Sequence, residues 1–239
     1  MTICKLCKRA RKLCRSHIVP EFFYKEIYDD KGRFFLRKAG KTGRQEQKGI
    51  REFLLCDECE GHLSKFEKYG REVIFGGEEI SGRRVPRAVL LSELDYTKLK
   101  VFLNSILWRM SVASGPMWEH VRLGPHEEKL REQILDGIPG NELDIPVLCT
   151  APLFENQLLP DLILQPDFVR GHQGRYYRIV VGGYIFSFYV SAPASNWPEE
   201  LREATLKEDG NWIILIKDIH EIEFLMKDLK SVVGTTQEG

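Results

Sequence analysis

The chain has 239 residues, 43% hydrophobic and 29% charged, with a formal net charge of zero. That is the composition of an ordinary globular protein with room for one large or two modest domains. No apolar run approaches the roughly 18 residues of a membrane span, and no signal-peptide core follows the basic start. The expectation is therefore a cytoplasmic chain without membrane contact.

In chain order, "CRSHIVPEFFYKEI" predicts a short extended piece and then a helix starting at Pro20, with Glu21 in its first turn. "GRFFLRKAG" reads as a strand closed by Gly40, "KTGRQEQKG" as a polar turn, and "IREFLLC" as a second strand. "ECEGHLSKFEKYGREVIF" is helical, with Leu63, Phe66, Tyr69 or Gly70, and Val73 on one face. "GGEEISGRRVPRA" has the glycines and charges of a connector. The expected organisation is a zinc-binding domain over residues 1–86 and an α+β domain over residues 87–239.

The second part opens on the clearest helix, "LDYTKLKVFLNSILWRMSVAS". Leu99, Phe102, Leu103, Ile106, Leu107 and Met110 form its apolar face, and Asp95 is its cap. "GPHEEKLREQILDG" is a second helix, with Pro125 in its first turn and Gly137 after its end. "DIPVLCTAP", "QLLPDLILQP", "RYYRIVVGG" and "YIFSFYVSA" predict strands, with a hairpin at the paired glycines. "SNWPEELREA" predicts a short helix, "NWIILIK" a strand, and "DIHEIEFLMKDLKSV" a final helix capped by Asp218. The whole is an α+β fold with an antiparallel sheet.

Six cysteines are present, four of them in two C-x2-C pairs: Cys4 with Cys7, and Cys56 with Cys59. Two such pairs read better as a Cys4 zinc site than as disulfides. Four thiolates suit a borderline-soft, tetrahedral cation, and a tight turn presents two sulfurs at a time. Cys149 reads as a small core residue and Cys14 as packing. Lys8, Arg9, Arg11, Lys12 and Arg15 form a basic stretch without an acid, and the bias continues from Lys31 to Arg51. Such a stretch could hold phosphates; a solvated charged face is the plainer account.

The order C-x2-C, then "SHIVP", then "LLCDECEGH" resembles the HNH endonuclease family of the Cys4 zinc type over about residues 4 to 70. The resemblance implies a structural zinc pinning a ββα unit, with Cys4, Cys7, Cys56 and Cys59 as its ligands. It implies His17 as the general base that activates water, with Pro20 as the motif proline, and Mg2+ or Mn2+ as catalytic cation. It also implies DNA as partner, in the setting of bacterial defence or a mobile element. The sequence departs from the pattern at three places. Ser16 stands where a metal-binding acid or histidine is expected, and Glu60 where a histidine would hold the metal. No asparagine precedes Cys59 to orient the base, although Glu52, Gln45 or Gln47 could do so.

Glu60 is an acceptable oxygen ligand for Mg2+ or Mn2+, and equally an acid favoured by a helix N-terminus. Glu67 is a second acidic ligand or an ion-pair partner, while His62 points to another side of the helix. Two functions stand side by side. One is a metal-dependent endonuclease with His17 and Glu60 at its centre. The other is a catalytically inactive zinc module that binds nucleic acid or a protein partner. In the second half, Asp161, Asp167, Arg170, His172 and Arg175 form no defensible motif.

Overall fold

The computed structural model describes residues 2–28, 33–36, 44–47, 49–77, 79–160, 162–191 and 197–227. Two short strands, β1 (Thr2–Ile3) and β2 (Ala10–Arg11), pair antiparallel around the first C-x2-C. β3 (Leu13–His17) follows at once, and Pro20 then starts a 3-10 helix over Glu21–Ile27. β4 (Arg33–Leu36) and β5 (Arg44–Gln47) form a hairpin of their own, so a strand stands where a polar turn is expected. The expected end at Gly40 lies outside the described residues. β6 (Arg51–Cys56) returns to pair antiparallel with β3, with His17 opposite Arg51 and Ser16 opposite Glu52.

β6 runs directly into α1 (Asp57–Phe75), whose first turn carries Asp57, Glu58 and Glu60. Its buried stripe is Cys59, Leu63, Phe66, Gly70 and Val73. Gly70, not Tyr69, takes the core position because the Phe102 ring lies where a side chain would go. A Cβ on Gly70 would sit 2.4 Å from it. Tyr69 instead accepts a hydrogen bond from the Asp95 N–H at 2.7 Å.

The expected connector is in fact a hairpin: β7 (Ser81–Val85) pairs with β8 (Ala88–Ser92) across a turn at Pro86 and Arg87. β7 is the outermost strand of the main sheet, and its arginines guard a sheet edge. α2 (Tyr96–Val112) starts at Asp95, whose carboxylate accepts from the Lys98 N–H. The expected single apolar face is also corrected. Every residue from Leu99 to Ser111 is buried, because α2 is the central helix, with α1 and α3 (Pro125–Asp136) packed against it. Gly137 ends α3 at φ +67°, the left-handed C-cap expected of it.

β9 (Val147–Phe154), β10 (Gln157–Leu158), β11 (Asp167–Gly171), β12 (Gly174–Val181), β13 (Tyr184–Ser191) and β14 (Trp212–Asp218) build the sheet, with α4 (Glu199–Glu203) before β14. Its order is β11-β12-β13-β9-β14-β8-β7, with β10 on β9. Every pairing is antiparallel except β9 with β14, which is parallel. Only β10 survives of the strand expected over "QLLPDLILQP", where Pro160 removes a ladder donor. The paired-glycine hairpin is present, with Gly182 and Gly183 both at positive φ. Asp218 caps a single 3-10 turn, and a helix begins at residue 223 and runs through 227.

The protein is thus mixed α+β with a mostly antiparallel sheet. One apolar core runs from Cys4 and Leu55 through Phe102 and Trp108 to Ile214. Gly182 meets Phe23 so closely that a Cβ there would lie 2.5 Å from its ring.

Candidate metal centre

The C-x2-C turns do what their spacing requires. The Cys4 N–H donates to the Arg9 carbonyl and the Lys8 N–H to the Cys4 carbonyl, both at 3.0 Å. Lys8 closes this knuckle at φ +58°. The second pair straddles the junction of β6 and α1. The Lys5 N–H bonds the Leu54 carbonyl at 3.0 Å, and the Cys56 N–H bonds the Cys4 sulfur at 3.3 Å. All four sulfurs lie within 4.8 Å of one another, with Cys7 and Cys56 at 3.9 Å. A tetrahedral zinc site with Zn–S near 2.3 Å has sulfurs about 3.8 Å apart, so the four cysteines fit a metal such as zinc. All are free thiols, and Cys4, Cys56 and Cys59 are buried.

The electrostatics point the same way. Burial works to raise the Cys4 thiol, but hydrogen bonds from the backbone of Cys7, Cys56 and Leu6 outweigh it and lower its pKa. Burial pushes Cys56 and Cys59 up, and the neighbouring sulfurs drive Cys59 higher still. A divalent cation at the centre of the four would favour the thiolate form of each. Cys14 stays out of the cluster; burial raises its thiol, and Glu60 and Asp57 add to the shift. Cys149 is buried on β9, as expected of a core residue.

His17 ends β3, half-buried, with its ring against Gly49 and near Tyr24. Gly49 has φ +71°, and a Cβ there would lie 2.9 Å from the Tyr24 ring and 3.1 Å from His17 Cδ2. Only glycine suits that position. The His17 carbonyl accepts from Arg109 Nη1 at 2.9 Å. Arg109 is 1% exposed and also pairs with Glu67 at 2.7 Å, so Glu67 is an ion-pair partner. The clamp from α2 across β3 to α1 was not legible in the sequence. Its one signal is an arginine between Trp108 and Met110 on an apolar helix.

The remaining candidates divide. Ser16 is buried and its hydroxyl accepts from the Leu55 N–H at 3.0 Å. Both Glu52 oxygens are taken by Ser114 and the Gly115 N–H, so this carboxylate is already engaged. Gln45 and Gln47 have side chains outside the described residues. His62 contacts the Ile134 carbonyl at 2.7 Å and belongs to the α1–α3 packing. Glu60 differs from all of these: its Oε1 is buried and has no hydrogen-bond partner among the described residues. Among those residues the four cysteines are the only group of three or more potential ligands that could hold a metal.

Lys8, Arg9, Arg11, Lys12 and Arg15 are all exposed, on the knuckle and β2–β3. Arg11 reaches Glu58 at 3.5 Å. The side chains from Lys31 to Lys48 lie outside the described residues. In the second half, Asp167 pairs with Arg178, Arg175 donates to the Ser191 hydroxyl, and Arg170 and His172 are exposed near the β11–β12 turn. No helix among the described residues is long and apolar enough to cross a membrane. Comparison of the chain with family models, curated proteins and solved structures finds no significant match.

Proposed function

We propose that this chain is a metal-dependent endonuclease of the HNH type, acting on DNA in the cytoplasm, with zinc as the ion of its four cysteines. The observation that carries the reading is the orphaned Glu60 oxygen, one residue beyond Cys59, on a helix start fixed by the same sulfurs that fix the approach to β3. A buried carboxylate oxygen without a donor calls for a cation or water. Glu60 would hold Mg2+ or Mn2+, which when bound supplies charge stabilisation for the phosphate and the leaving oxygen.

The protein's own groups have the remaining tasks. His17 takes a proton from water while the water oxygen bonds to phosphorus and the bridging P–O bond breaks. Arg109 holds the His17 backbone in place. Lys8, Arg9, Arg11, Lys12 and Arg15 contact backbone phosphates without reading sequence.

A second reading has its own support. Ser16 and Glu52 are already hydrogen-bonded, and no second ligand group accompanies the four cysteines among the described residues. A zinc module that binds nucleic acid or a protein partner without cutting fits those facts. Incubation of plasmid DNA with the protein and Mg2+ or Mn2+, beside His17→Ala, separates the two. The nuclease reading expects nicking that falls at least ~100-fold in the variant. Equal nicking by both counts against His17 as the base, and none by either supports the silent module.

A further inference from the structure

A cavity of about 490 Å³ lies between the C-terminal end of α1 and one face of the sheet. Its size is within the ~300–1,000 Å³ of small-molecule sites. The strand registers make its floor an ordered row: Arg84 on β7 faces Val89 on β8, then Ile214 on β14, Cys149 on β9 and Phe186 on β13. Directly opposed residues share a face. One row therefore runs from a cation at the sheet edge across apolar neighbours, about 19 Å at ~4.8 Å per strand. Ile74 on α1 and Ile80, just before β7, also line it. Tyr184 donates to the Ile74 carbonyl at 3.3 Å and ties α1 to the sheet.

Beside Asn156 and Tyr184, two polar groups of this mostly apolar lining stand out. Arg84 is exposed and has no carboxylate partner among the described residues. Trp212, also lining the cavity, is 1% exposed, and its indole N–H has no acceptor among them. Gly82, two residues before Arg84 and on the same face of the edge strand, keeps the mouth clear; a Cβ there would lie 3.0 Å from Leu91.

We infer that this cavity binds an amphipathic monoanion, an acyl chain of medium length held among the half-buried Val89, Leu91, Ile74 and Ile80, above the buried end of the row, with its carboxylate at Arg84. One unpaired cation matches one anionic head, and a largely aliphatic lining matches a chain. The site is independent of the cysteine cluster and of any cleavage.

Calorimetric titration of the whole chain with laurate, below its micelle concentration, and with uncharged dodecanol tests this. The wild type takes up one laurate per chain. Arg84→Gln, at an exposed position, weakens laurate about tenfold and leaves dodecanol unchanged. Ala151→Leu, which narrows the cavity, weakens both; should it fail to fold, the Arg84→Gln comparison decides alone. Absence of saturable laurate uptake, or equal laurate binding by wild type and Arg84→Gln, overturns the inference. A wild-type dimer that Leu91→Asp dissociates places a second copy on this face and overturns it too.

Discussion

Lys100 has no exposed surface, and its Nζ donates to the Ile145 carbonyl at 2.7 Å, its one hydrogen bond among the described residues. Ile145 sits at φ +49°, a costly conformation for a β-branched residue, so the lysine anchors a strained corner at the entry to β9. Burial depresses the Lys100 pKa to about 7, with Asp144 and Glu142 opposing the shift. An unfolded lysine binds its proton up to ~10.4, so between pH 7 and 10 the unfolded chain holds more protons at this site. Stability from Lys100 is therefore full above the unfolded pKa and is lost as pH falls toward 7. Denaturation of wild type and Lys100→Met at pH 7, 8 and 9 should show the wild type gaining more, by up to ~1.4 kcal/mol per pH unit. Parallel profiles would contradict this role. The residue scale is also where the sequence misled most. Glu52 was an option for orienting His17, and it is committed to Ser114 and Gly115 instead; Glu67 takes the ion pair, the other of its two expected roles.

Between elements, the strongest polar link is Arg109, which joins α2 to the β3 backbone and to Glu67 on α1. Glu67→Gln leaves a buried guanidinium without its counter-charge and should cost about 3 kcal/mol in urea denaturation. Lys129→Met, which breaks the half-exposed pair with Asp144, should cost under about 1 kcal/mol. Similar losses in the two variants would show that Arg109 is not the clamp. The helices were legible because caps and periodicity are local: Asp95, Pro125 and Gly137 all act where the sequence puts them. Burial of α2 on every side was not, since it depends on what packs against the helix. The β7 strand was missed for the same reason: Arg83 and Arg84 look like linker charge until β8 supplies a partner.

Across the whole molecule, the two cysteine pairs set the geometry. They lie some fifty residues apart in the chain, and their sulfurs meet only because β3 and β6 pair across the inserted hairpin. Spacing alone made this centre readable, because thiolate chemistry constrains it so tightly. No such rule governs the parallel β9–β14 pairing or the pocket it helps to floor, and neither was foreseen. The central claim is that two cation sites share one scaffold, the four cysteines and Glu60. Elemental analysis of the protein after gel filtration with Mn2+ and a short DNA duplex tests it most directly. The account predicts one zinc per chain, lost in Cys56→Ser, and one manganese, lost in Glu60→Ala with zinc retained. Folded protein without zinc, or manganese retained equally by Glu60→Ala, would contradict it.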